Sequence, residues 1–110
     1  MNVEFKGFNE NVATFVADET VKAGMLVKLS GTFTVTACNN NDEFVGVCVN
    51  VRDGYAAVQI SGYVEVKTTS NIGVGYEKFA VYDSKTVKPA DTDRSYLVLR
   101  SDNNIIGFIL

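Results

Sequence analysis

Between Thr32 and Thr68 the chain alternates apolar with small or polar side chains so regularly that one strand register collects nearly all the apolar groups on one face. A hairpin closing around Asn39–Glu43 sets Phe33 opposite Val49, Val35 opposite Val47 and Ala37 opposite Val45. A second, closing on the two-residue turn Asp53-Gly54, sets Val49 opposite Val58, Val47 opposite Ile60 and Val51 opposite Ala56. A slip of one residue would turn this whole set towards solvent, so such a register is strongly specified. The opposite face collects Thr32, Thr34, Thr36, Gly46, Cys48, Asn50, Ala57 and Gln59. The segment therefore predicts an antiparallel meander with one buried face and one small, polar face.

The rest of the chain follows the same grammar. Val12–Ala17 and Met25–Leu29 read as strands separated by a turn at Lys22-Ala23-Gly24. Ala56, Val58, Ile60, Val64 and Val66 share one parity, which predicts a single long strand over Tyr55–Thr68, bent at Gly62 as a strand bends around a barrel corner. A tight turn at Ser61-Gly62 is the alternative. Thr69–Lys78, with Gly73 and Gly75, reads as a linker, and Pro89–Asp93 as a loop. Phe79–Asp83 and Thr86–Lys88 flank a Ser84-Lys85 turn, and Tyr96–Arg100 and Ile105–Leu110 flank Asp102-Asn103-Asn104. The final apolar run is poor material for a free tail and is expected to pair in a sheet. Nine or ten short strands with hardly a helix signal predict an all-β single domain over 12–110, a small barrel or sandwich of about nine mainly antiparallel strands. Residues 1–11 read as an irregular N-terminal arm carrying Phe5 and Phe8.

At 110 residues the chain has the length of one domain, which should bury roughly 65% of its unfolded surface and needs neither metal nor disulfide. A net charge of −3 offers no basic surplus to displace counterions from phosphates, so nucleic acid and anionic membranes are not expected partners. No run approaches a membrane span, and MNVEFKGFNEN lacks the basic and apolar regions of a signal peptide, so synthesis and folding in a cytoplasm are expected. In the register above, Cys38 and Cys48 lie about four residues apart along the ladder, more than ~10 Å, too far for a disulfide.

Catalytic chemistry finds little footing. The chain has no histidine, which removes the commonest general base, the usual serine and cysteine nucleophile systems and most zinc sites. Asp18 with Glu19, Asp42 with Glu43 and Asp91 with Asp93 lie in three separate loops, and none matches a calcium-binding loop. Gly73-Val74-Gly75 is a lone pair of glycines without the rest of a phosphate cradle. Tyr55, Tyr63, Tyr76, Tyr82 and Tyr96 suit the edge of a core better than a ligand face. No catalytic, cofactor-binding or metal-binding residue is expected, and the expectation is a non-enzymatic protein.

Three segments together resemble the small phage capsid decoration proteins, in particular an uncharacterised family encoded beside major capsid genes. Ala23-Gly24-Met25-Leu26-Val27 is similar to that family's AGD-V-V turn and strand, although Met25 stands where an acidic residue is usual. Val45-Gly46-Val47-Cys48-Val49 resembles its GVA strand. Asp53–Lys67, reading DGYAAVQISGYVEVK, resembles its GE-GAVAV-G-F-V-K segment, and Ile106-Gly107-Phe108-Ile109 its last strand. The resemblance implies a virion protein on the capsid exterior, often a homotrimer, that binds the major capsid protein of a phage or prophage and stabilises the assembled head. The arm residues Phe5 and Phe8 are then the candidate partner contacts, because ordering an arm is offset only by burying its rings. An arm packed on its own barrel is the alternative. A different reading is a binding module, since Val21–Val27 also resembles the turn of biotinyl and lipoyl carriers, with Lys85 as the sole candidate attachment lysine. A small hydrolase with two converging carboxylates is a third.

Overall fold

The computed structural model describes residues 11–92 and 94–110. Among them lie eleven strands and no helix. They are β1 (Val12–Ala17), β2 (Leu26–Gly31), β3 (Thr34–Ala37), β4 (Gly46–Arg52), β5 (Tyr55–Gln59), β6 (Tyr63–Thr68), β7 (Gly75–Glu77), β8 (Phe79–Asp83), β9 (Thr86–Pro89), β10 (Tyr96–Asp102) and β11 (Ile105–Ile109). The all-β expectation holds, with more strands than the nine foreseen. β1 to β5 close a barrel in the order β1-β3-β2-β4-β5, and the remaining strands form a six-stranded half-barrel in the order β7-β10-β11-β6-β9-β8. Its two outermost strands, β7 and β8, follow each other in the chain with only Lys78 between them.

The two halves share one topology. In the first, β1 runs parallel to β3 and antiparallel to β5, β2 pairs with β3, and β4 with β5. In the second, β6 runs parallel to β9 and antiparallel to β11, β8 pairs with β9, and β10 with β11. Even the bulges coincide. The β2–β3 ladder slips between Leu29 and Gly31, the β8–β9 ladder between Val81 and Asp83. The β4–β5 ladder slips between Cys48 and Asn50, the β10–β11 ladder between Val98 and Arg100. The turns after these last bulges match as well, with positive φ at Asp53 and Gly54 (53° and 79°) and at Asn103 and Asn104 (48° and 60°). Asp, Asn and Gly tolerate that conformation, and two such residues in succession give a hairpin turn whose twist suits the strands.

The meander expected over Thr32–Thr68 takes a different path. β3 does not pair with β4: it sits between β1 and β2, joined to β2 through the short Thr32-Phe33 turn. The Asn39–Glu43 segment, instead of closing a hairpin, leaves the barrel to meet the second half. Phe33 is therefore 71% exposed at a turn rather than opposite Val49. The Asp53-Gly54 turn and the Val51–Ala56 pair are as expected, but the bulge at Val49 shifts the rest, pairing Cys48 with Val58 and Val47 with Gln59. That shift carries Cys48 from the anticipated polar face into the core. Cys38 and Cys48 are both buried free thiols, although the pairing used to separate them does not form. Tyr55–Thr68 is two strands, not one: Gly62, at φ 91°, makes the turn by which the chain passes from barrel to half-barrel. The Thr69–Lys78 linker contains a strand, β7, on the free edge of β10. The last strand pairs as expected, and Leu110 N–H donates to Gly62 O at 2.9 Å.

Each half has its own core. Val21, Val27, Val35, Cys48, Ala56 and Val58 fill the barrel. The second core is aromatic, with Phe79, Tyr96 and Phe108 in mutual contact and Val64, Val66, Ile72, Val81, Val87, Val98 and Ile106 around them. Leu26, Cys38 and Phe44, all from the first half, complete it. This shared packing joins the halves.

Candidate interaction surfaces

The outer wall of β1 and β5 carries a strip of exposed apolar side chains. Its cross-strand pairs are Val12–Gln59, Thr14–Ala57 and Val16–Tyr55. Val12, Val16 and Tyr55 are about half exposed, and Ile60 continues the strip past the end of β5. β-branched and aromatic residues suit such a strand wall intrinsically; here they leave apolar area exposed among the described residues.

The matching wall of β6 and β11 is built from Tyr63–Ile109, Glu65–Gly107 and Lys67–Ile105 pairs. Here a polar network covers the strands. Tyr63 lays its ring over Gly107 and donates its hydroxyl to Glu65 Oε2 at 2.8 Å, while Arg100 Nη1 donates to the same oxygen at 2.8 Å. Arg100 also holds Asp102 Oδ1, at 3.0 Å from Nη2. Hydrogen bonds from Tyr63 and Arg100 hold the Glu65 carboxyl below the usual range, and burial, reinforced by the bond to Glu65, pushes the Tyr63 phenol up to about 12. In the first half, Val12, Thr14, Asn50 and Arg52 occupy the positions of Tyr63, Glu65, Arg100 and Asp102, and among the described residues they form no such network.

Between the halves lies a cavity of about 240 Å³, lined by Asn41–Phe44 of the first half and by Phe79, Ala80, Thr92, Arg94 and Tyr96 of the second. Its floor is the aromatic cluster, with Phe44 and Tyr96 stacked at 5.5 Å and the Arg94 guanidinium 4.5 Å from the centre of the Tyr96 ring. Asp42 is tied down by Lys28 Nζ and by the N–H of Asn39, both at 2.7 Å, and these bonds hold its carboxyl below the usual range. It braces the loop that delivers Phe44.

Asp18 accepts from Thr20, which lowers its pKa, and Asp91 stands 3.7 Å from Lys78. Among the described residues no group of three or more His, Cys, Asp or Glu side chains is arranged to hold a metal ion. Burial pushes the Cys38 thiol up to about 12, with the Asp42 charge adding to it, and burial also raises that of Cys48, which opposes thiolate chemistry. The five tyrosines share no face: Tyr63 and Tyr96 are buried, while Tyr55, Tyr76 and Tyr82 point to solvent. Lys85 lies in the β8–β9 turn, as expected. The arm residues Phe5 and Phe8, and Asp93, lie outside the described residues.

Sequence reasoning passed over Phe44 and the Tyr63–Glu65–Arg100–Asp102 network. Alternation of Tyr63, Glu65 and Lys67 along one strand face signals a polar wall, but Arg100 joins it only through the pairing of β10 with β11 and of β11 with β6. No family model matches the chain, and no curated protein matches it in sequence.

Proposed function

We propose that this protein is a non-enzymatic structural protein, a phage or prophage capsid decoration protein that binds the major capsid protein on the outside of the assembled head. The observation that carries this reading is the exposed apolar wall of β1 and β5, with Val12, Val16 and Tyr55 about half exposed on a closed barrel. A preorganised strand wall loses little conformational freedom on binding, so its apolar area contributes efficiently to affinity. The segments that resemble the decoration family supply the neighbouring framework: β2 begins within Ala23–Val27, β4 contains most of Val45–Val49, and Asp53–Lys67 spans β5 and most of β6. A virion location, a homotrimer and contact through the Phe5 and Phe8 arm belong to the same proposal.

The test is co-sedimentation of the full chain with empty heads assembled from the major capsid protein encoded beside it. Saturable binding that raises the temperature of shell disruption is expected, with Val16→Glu weakening it at least tenfold. Heads that sediment without the protein would refute the reading. Deletion of residues 1–11 then asks about the arm separately, since unchanged affinity would remove Phe5 and Phe8 from the contact.

A further inference from the structure

The cavity between the halves holds two opposite charges that the fold leaves unpaired. Glu43 comes from the first half and Arg94 from the second, and both line the same space of about 240 Å³. Among the described residues neither side chain forms an ion pair. Asp42, the other charge of the lining, is bound to Lys28 at 2.7 Å. Both unpaired charges reach Tyr96: burial raises its phenol, the Arg94 charge lowers it and the Glu43 charge raises it.

Their neighbours hold both residues in place. Glu43 stands between Asp42, bonded to Lys28 and to the N–H of Asn39, and Phe44, whose ring stacks on Tyr96 at 5.5 Å. Arg94 rests over the Tyr96 ring, its guanidinium carbon 4.5 Å from the ring centre. A site with its charges positioned beforehand loses little conformational freedom when a ligand arrives. The first half has no equivalent. The matching bulges of β4 and β10 align Gly46 with Tyr96, and a glycine offers no ring for a cation to rest on.

The ligand's chemistry follows from the lining. A guanidinium binds a carboxylate, a carboxylate binds an ammonium, and the rims of Phe44 and Tyr96 favour an aromatic group. A space of about 240 Å³ falls below the ~300–1,000 Å³ of pockets for drug-sized ligands, which restricts the guest to something of amino-acid size. We propose that this cavity binds a free α-amino acid with an aromatic side chain, its carboxylate on Arg94, its ammonium on Glu43 and its ring against Phe44 and Tyr96. A residue at the end of a peptide keeps only one of its two backbone charges, so a chain terminus is the poorer guest.

The experiment titrates L-phenylalanine into the isotopically labelled full chain and follows backbone amide shifts by NMR. Saturable shifts at Glu43, Phe44, Arg94 and Tyr96 are expected, with a Kd on the order of 1 mM. Phenylalaninamide lacks the carboxylate and N-acetylphenylalanine the ammonium, and each should bind roughly fivefold more weakly, the upper end for an exposed ion pair. In Arg94→Gln, phenylalanine and its amide should bind alike; in Glu43→Gln, phenylalanine and its N-acetyl form should. Both side chains are exposed, so the β8 and β10 resonances should stay in place in either variant. The ligand series in the wild-type chain tests the proposal without any variant. Absence of saturable shifts up to ~10 mM, shifts scattered away from the cavity, or a blocked form that binds as tightly as phenylalanine would overturn it. None of these readouts involves a capsid, so the proposal and the decoration reading fail independently.

Discussion

The barrel of β1–β5 and the half-barrel of β6–β11 have the same strand pairing, the same two bulges and the same kind of hairpin turn, yet they are filled and closed differently. They differ at one matching position. At the start of β4, Gly46 lies close against β5, and any Cβ there would strike the Gln59 carbonyl and come within 2.8 Å of Val58 Cγ1. The matching position at the start of β10 is Tyr96, whose ring stacks 4.9 Å from Phe79. There the counterpart of β2 is interrupted at Lys78, between β7 and β8, and Phe44 of the first half packs on the ring. The comparison teaches that two halves can share bulges and turns while differing in core filling and closure.

Gly46→Val should break the comparison most severely. With backbone on one side and a core valine on the other, the barrel has no inexpensive way to yield, and a loss of about 4–5 kcal/mol in urea unfolding is expected. Phe108→Ala attacks the other half. This ring, fully buried among Phe44, Phe79 and Tyr96, should cost about 3–4 kcal/mol, and the cavity it leaves should loosen the junction as well as the half-barrel.

Gly107→Ala sharpens the contrast with Gly46. The added methyl meets the far end of the Tyr63 ring rather than backbone, so the ring swings away at a cost of about 1–2 kcal/mol. A crystal structure should show the Tyr63–Glu65 bond broken and the strands unmoved. A cost equal to that of Gly46→Val would show that the ring cannot move.

The polar wall also gives the second half a pH signature. The Tyr63 phenol is raised from 10.0 to about 12, so folding favours its neutral form. That contribution is complete below pH 10.0 and is lost as pH rises towards about 12. Tyr63→Phe should flatten this alkaline limb in urea midpoints measured across the window. Glu65 has the opposite sign: its carboxyl is held below 4.5, so its contribution is present above that pH and fades as pH falls through the depressed value. Arg100→Ala should have the smallest effect, since its partners are well exposed, and what remains should vanish in high salt.

How much of this was legible beforehand follows from the range of each signal. Val12–Ala17, the Asp53-Gly54 turn, the Ser84-Lys85 hairpin and the paired C-terminus rest on adjacent residues, and each stands where the sequence places it. The path of β3 does not, because Val35 satisfies the same alternation whether its neighbour is β4 or β2. Periodicity specifies which face is buried, and it is silent on which strand lies alongside. The Val49 bulge is likewise invisible to parity, and it moves Cys48 from the polar face to the core.

The amino-acid order by itself determined an all-β chain, its turn residues, its largest apolar side chains and its want of histidine chemistry, because strand propensity, turn conformations and side-chain ionisation act within a few residues. Only the tertiary structure decided that the strands divide into two alike halves, that Phe44 crosses from one into the other, and that β2 pairs with β4 while the β8 edge is met by the Asn41 loop. Those outcomes depend on volumes and hydrogen-bond partners brought together from distant parts of the chain, which no local pattern encodes.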